Sequence, residues 1–142
     1  MIAVADTGFV LAVAIATDKW HTACLSLYRQ HNRIYLPQST LAEVAYLLTR
    51  EGGNLTTARF LADLPRSKYR LVALEHGDIQ QTAQLLEQYA DARVDFVDIT
   101  VAAIAERLGV RRILTVDQRD FCILRPHAWK SFELLPEMQN AA

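Results

Sequence analysis

The chain has 142 residues, 51% of them hydrophobic, and a mean hydropathy of +0.06, which excludes disorder and fits one domain with a real core. Its formal net charge of −1 carries no bulk signature of a nucleic-acid binder. Two cysteines, Cys24 and Cys122, exclude a disulfide framework in a chain of this length, and Cys24 reads as a small core residue.

Ile2–Ala5 reads as a buried strand, followed by a helix from about Thr7 to Ala16 with Thr7 as a possible cap. This run is apolar enough to resemble a signal-peptide core, but no basic residue precedes it and Asp6 interrupts it. It is therefore read as structure, with a cytoplasmic location expected. No apolar run reaches the ~18 residues needed to span a membrane. Thr17-Asp18 opens a second helix, in which Trp20, Cys24, Leu27 and Tyr28 recur at helical spacing, and Arg33–Leu36 is a short strand stopped by Pro37. Ser39 or Thr40 leads into a helix to about Arg50, with Leu41, Val44, Ala45 and Leu48 on one stripe. Gly52-Gly53-Asn54 breaks it, and a further helix covers Leu55–Leu64.

The spacing then predicts a strand over Arg70–Leu74 and a helix over His76–Ala90 with Ile79, Ala83, Leu86 and Tyr89 facing the core. A very apolar helix over Asp98–Leu108 closes at Gly109, and strands follow over Arg112–Val116 and Ser131–Leu135. Alternating strands and helices imply an α/β fold: a mostly parallel central sheet of about four or five strands flanked by helices. One domain is expected over 1–136, with a short polar tail over 137–142.

The carboxylates are the informative residues. Asp6 is the only charged residue between Met1 and Thr17, Glu43 stands alone in Leu41–Leu48, Asp95 and Asp98 sit in Val94–Ile99, and Asp117 directly follows a strand. A carboxylate in such a stretch costs several kcal/mol unless something pairs with it. Asp6 and Asp117 follow strands, where open α/β sheets bind ligands, and the others open helices whose positive ends favour anions. All of them can converge at one edge of the sheet. Acids without basic partners point to a hard cation held by oxygen alone, Mg²⁺ or Mn²⁺, and to metal-assisted phosphodiester hydrolysis. The histidines His21, His31, His76 and His127 are scattered and make no zinc site. Capping is the competing explanation for Asp95, Asp98, Asp117 and Asp120, but it explains Glu43 poorly, and a purely structural role fits Asp6 least. From Arg107 to Lys130 six basic residues face two acidic ones, which fits phosphate contact or a solvated face equally well.

In this order the motifs resemble the PIN-domain ribonucleases, most closely the toxins of VapBC-type toxin–antitoxin pairs. The carriers are the strand leading into Asp6-Thr7, Glu43-Val44, Asp95-Phe96-Val97-Asp98 ahead of Ala102–Gly109, and Ile113-Leu114-Thr115-Val116-Asp117-Gln118-Arg119-Asp120-Phe121. The resemblance runs from Ile2 to about Pro136 and implies an Mg²⁺- or Mn²⁺-dependent endoribonuclease. Asp6, Glu43, Asp98 and Asp117 would be its catalytic, metal-binding quartet. The usual small residue after the third acid is missing, Ile99 standing there, so Asp95 remains a candidate metal ligand or helper. Thr7 would orient a metal water from outside, with Gly8 where a serine is common. Arg112, Arg119 and Lys130 are candidates for the RNA backbone. In-line hydrolysis would leave 5′-phosphate and 3′-hydroxyl ends. The resemblance also implies a cognate antitoxin and a homodimer, which the apolar early helices suit.

Three rivals compete. Asp6-Thr7-Gly8 matches the aspartic-protease triplet, but only one copy exists and a helix follows at once. A phospho-acceptor receiver domain needs an acidic pair after the first strand and a lysine after the last, which this sequence lacks. The third is a catalytically quiet PIN-like module that binds protein or RNA.

Overall fold

In the computed structural model, which describes residues 1–138, eleven regular elements build a three-layer α/β domain. They are β1 (Ile2–Ala5), α1 (Thr7–Ala14), α2 (His21–Gln30), β2 (Arg33–Pro37), α3 (Leu41–Asp63), β3 (Tyr69–Val72), α4 (His76–Gln88), α5 (Phe96–Leu108), β4 (Arg112–Leu114), α6 (Gln118–Ile123) and β5 (Glu133–Leu135). The greater part of the tail expected over 137–142 falls outside the described residues.

The sheet has the order β3-β2-β1-β4-β5, and every neighbouring pair is parallel. Residues alternate between its faces, as a strand requires. Ala3 and Ala5 of β1 face Phe9, Val10, Ile34, Leu36, Val44, Leu48 and Leu114, whereas Val4 faces Ile99, Val101, Ala105, Ile113 and Phe121. Helices α1, α2 and α3 therefore cover one face, and α5 and α6 the other. Both faces of β1 are fully buried, which explains why this strand is a continuous apolar run.

Chain direction fixes where a ligand can sit. From central β1 the chain moves outward through β2 to β3, then returns to the other side of β1 for β4 and β5. The strand order thus reverses between β1 and β4, and the crevice at the carboxyl ends of those two strands is the switch point at which such sheets bind ligands.

Several local expectations change. Asp6, not Thr7, caps α1, because its side chain accepts the Phe9 N–H; the helix ends at Ala14. The start of α2 is His21 rather than Thr17, since Asp18 instead takes the Trp20 N–H in a turn. The Gly52-Gly53-Asn54 break is a reversal at Gly53 (φ 81°), a backbone angle few other residues adopt. The second half of α3 folds back on the first, with the Thr57 hydroxyl donating to the Ala45 carbonyl at 3.2 Å. In α4, Ile79 and Ala83 face solvent, and the buried positions are Asp78 and Thr82. The helix turns this polar stripe inward because Arg107 of α5 waits there for Asp78, at 3.0 and 3.2 Å.

Candidate metal centre

Asp6 sits one residue beyond β1, inside the switch-point crevice, and is 4% exposed. Its two oxygens are used separately. Oδ1 accepts the Phe9 N–H at 3.1 Å, and Oδ2 accepts the Thr115 hydroxyl at 2.5 Å. No cation faces it. Burial pushes its carboxyl up to about 7, the two hydrogen bonds pull it back in part, and the charges of Asp117 and Glu43 raise it further.

Thr115 is fully buried just past β4, and its hydroxyl oxygen also accepts the Asp117 N–H at 3.0 Å. One threonine therefore fixes both the carboxylate after β1 and the backbone of the acid after β4. Asp117 occupies the cap position of α6 but makes no side-chain capping bond, so its carboxylate is left exposed and available. Its pKa is raised, first by desolvation and then by Asp120, with Arg119 opposing.

The two aspartates at the start of α5 divide their roles. Asp95 is the cap, its Oδ1 accepting the Asp98 N–H at 2.9 Å. Asp98, one turn in and half-buried, does no capping. Its carboxyl is pushed up to about 8, by desolvation first, then by Asp95, Asp120 and Asp6. Glu43 projects from the first turn of α3 and is exposed. Thr7 is buried, and its Oγ1 has no hydrogen-bond partner among the described residues.

These acids lie close enough to raise one another's pKa values. Among the described residues, however, no three such side chains stand close enough to hold one ion as they are placed. The donor set nonetheless suits a hard divalent cation. It is all oxygen, Arg119 is the base that acts on Asp117, and the buried, unpartnered Thr7 hydroxyl directly follows Asp6 in the chain. Glu43 and Asp117 are exposed, so their side chains can swing inward to meet an ion.

Gly8 follows from packing. A Cβ there would lie 2.8 Å from a methyl of Val116, so a serine fits only if Val116 moves or shrinks.

The basic candidates separate. Arg119 is next to the acids, as its effect on Asp117 requires. Arg112 opens β4 at the opposite, amino end of the sheet, where it pairs with Glu133 at 3.1 Å. Lys130 is exposed just ahead of β5, also at that end. Neither stands beside the carboxylates, because parallel strands put their starts and their ends on opposite edges. Thr115 and Asp120 belong to the candidate site too: sequence reasoning gave Thr115 no role and read Asp120 only as a possible cap. A threonine two positions before Asp117 at a strand end was the available signal for the first, and a second acid three positions after it for the second.

The sequence matches the PIN domain family over residues 3–125. It is 28% identical over 134 residues to Ribonuclease VapC26 of Mycobacterium tuberculosis, covering 92% of this chain and 98% of that protein. In fold it is similar to VapC20 of Mycobacterium tuberculosis, a sarcin–ricin-loop-cleaving toxin, with a TM-score of 0.72, 22% identity, and coverage of 80% of this chain and 87% of that one. It is also similar to the DNA-bound VapBC of Salmonella typhimurium, with a TM-score of 0.69, 14% identity, and 95% and 98% coverage.

Proposed function

Since the chain belongs to the PIN-domain family, we propose that it is a metal-dependent endoribonuclease and the toxin of a type II toxin–antitoxin pair that inhibits translation. The observation that carries this reading is Asp6: a buried carboxylate clamped by Phe9 and Thr115, facing other carboxylates and no base. Burial without neutralisation destabilises a fold, and it is tolerated where a cation completes the group. The 28% identity to a named ribonuclease, over nearly the full length of both proteins, supports the reaction class.

Asp6, Glu43, Asp98 and Asp117 hold Mg²⁺ or Mn²⁺ in this proposal. When bound, the ion supplies Lewis-acid stabilisation of the charge that develops on phosphate oxygens and lowers the pKa of water. The chain's own contributions are positional. Thr115 holds Asp6 Oδ2 and the Asp117 backbone in fixed relation, so two donors from different strands keep their spacing. Asp95, already committed as the α5 cap, supports Asp98 from outside rather than replacing it. Thr7 offers its unused hydroxyl to an ordered water. Arg119 is the phosphate contact nearest the acids, and such contacts position a substrate without reading its sequence. In-line hydrolysis leaves a 5′-phosphate and a 3′-hydroxyl.

The partners follow the same reading: an RNA substrate, a cognate antitoxin and a second copy of the chain. The VapBC assemblies that share the fold support the antitoxin. Among the described residues no helix is long and apolar enough to cross a membrane.

The test is RNA cleavage by purified protein with Mg²⁺ or Mn²⁺, beside EDTA and Asp6→Asn. Metal-dependent cleavage that is lost in the variant supports the proposal. Equal behaviour of both proteins across varied RNAs, with no metal binding by calorimetry, sinks it in favour of a quiet binding module.

A further inference from the structure

The amino end of the sheet carries the opposite charge. The first residues of the strands there are Met1-Ile2, Arg33, Arg112 and Glu133, brought side by side by the registers Ile2↔Arg33 and Arg112↔Glu133. Between them and the end of α5 lies an open cleft of about 480 Å³, bordered by Tyr35, Arg111, Arg112 and Glu133. Arg33 and Tyr35 are two apart on β2 and share a face, with the Arg33 guanidinium 3.4 Å from the Tyr35 hydroxyl.

The charges around this cleft are unevenly satisfied. Arg112 is engaged, donating to Glu133 at 3.1 Å and lying 3.3 Å from Nε2 of the buried His31. Glu133 is the one acid among the residues that line the cleft, and Arg112 takes it. Among the described residues the exposed Arg33 and Arg111 are bonded only to neutral oxygens, the Tyr35 hydroxyl and the Ser131 carbonyl at 2.8 Å. Lys130, beside Ser131, is exposed at the same edge. Uncompensated positive charge thus surrounds a cleft with one half-buried aromatic ring at its side.

We infer that this cleft is a second RNA-binding site, distinct from the candidate metal centre, in which Arg111 of the lining and Arg33, beside Tyr35 at the rim, hold backbone phosphate and Tyr35 receives a base. The inference rests on the ribonuclease reading for its choice of polymer. Two guanidinium groups with no acidic partner among the described residues suit successive phosphates, and a half-buried tyrosine ring in the lining suits a stacked base. Single-stranded nucleic acids require that combination and an acidic peptide does not. The cleft is open rather than enclosed, which suits a polymer laid across it more than a small ligand buried in it. The five residues from Ile2 to Asp6 separate the two ends of the sheet by roughly 15 Å. A strand gripped here therefore reaches the acids only if it is several nucleotides long, and the site would favour long RNA over short fragments.

The decisive measurement is the salt dependence of binding to a short fluorescein-labelled single-stranded RNA, by anisotropy in EDTA so that the RNA stays intact. Wild type is compared with Arg33→Glu/Arg111→Glu, with the milder Arg33→Gln/Arg111→Gln, and with Arg59→Glu/Arg66→Glu as a control of equal charge change on exposed residues of another surface. The expected result is at least a tenfold loss of affinity for both cleft variants. The slope of log K against log salt should fall by about 1.4, roughly 0.7 for each lost phosphate contact. Tyr35→Leu should weaken binding with its slope intact, and the control should bind like wild type. An unchanged slope in the folded Gln pair overturns the inference, as does wild type that does not bind RNA. Competition by polyglutamate as effective as RNA of equal charge overturns it in favour of an acidic peptide. Wild type that binds with the expected slope but never cleaves with Mg²⁺ sinks the nuclease reading alone. Wild type that cleaves while the cleft variants bind unaltered sinks the second site alone.

Discussion

Two aspartates of this protein are almost completely buried, and they lead opposite lives. Asp78, 2% exposed at the seam of α4 and α5, receives Arg107 Nε on both oxygens and the Glu75 N–H at 2.9 Å. Asp6, 4% exposed at the switch point, receives one backbone N–H and one hydroxyl, and its charged neighbours are other acids. The burial is the same, so burial alone does not mark a functional carboxylate. What separates the two is whether the fold has supplied the countercharge itself. At the α4–α5 seam it has, and the pair serves packing; at the switch point it has not, and the charge awaits something from outside.

That contrast can be broken by substitution. Asp6→Asn should abolish nuclease activity, by about a hundredfold or more, because it removes one of the proposed ion's donors. Without metal at pH 8 the same variant should melt no lower than wild type, since it deletes a charge that resists burial. A variant that melts much lower while retaining cleavage would place Asp6 with Asp78 as a structural acid. Arg107→Ala should do the reverse. It leaves Asp78 buried and uncompensated, costing about 3–5 kcal/mol, and the loss is read in the denaturation midpoint. The catalytic rate per folded molecule should hold.

The acid pair sharpens the contrast through pH. Asp6 titrates near 7 in the fold and near 3.8 when unfolded, so between those values the native state binds the extra proton. Stability contributed by this group is full below the lower value and is lost as pH rises through the upper one. Asp98, pushed to about 8, extends the same trend upward. The melting temperature of metal-free protein should accordingly fall between pH 5 and pH 8, by about 5 °C or more. Mg²⁺ or Mn²⁺ should recover it at pH 8, where the carboxylates are ionised and able to bind. A metal-free profile that rises over that interval would contradict the account. Thr115→Val is expected to have the smallest effect. Losing a hydrogen bond to a buried carboxylate should raise the Asp6 pKa further and slow cleavage by roughly tenfold at neutral pH. Raising the pH should restore part of the rate, a signature that simple misfolding would not give.

What could be read from the sequence follows the same division. Asp6, Glu43 and Asp98 stand out in the sequence as charges among apolar residues and Asp117 as an acid directly after a strand, which is why they were the candidates. The parallel sheet was legible because strands and helices alternate. The seam was not legible. Asp78 and Arg107 lie 29 residues apart, and nothing local to α4 says that its polar stripe, rather than Ile79, will turn inward. Thr115 looks like any threonine at the end of a strand until its hydroxyl is seen between Asp6 and Asp117. Arg112, Arg119 and Lys130 were candidates for the RNA backbone, and the sequence does not say which of them lies near the acids. Strand direction alone, however, sends the start of β4 to the far edge.

The close fit of Gly8 against Val116 bears on how this chain can change with time. A serine arriving at position 8 while Val116 is in place meets a 2.8 Å contact and forces that side chain to shift. The same serine arriving after Val116 has shrunk to alanine loses that contact, and its Cβ meets Asp6 Oδ1 at an ordinary 3.7 Å. The serine is thus conditional on a smaller residue at 116, whereas the change at 116 is not conditional on the serine, so one order of replacement passes through an intermediate without the clash.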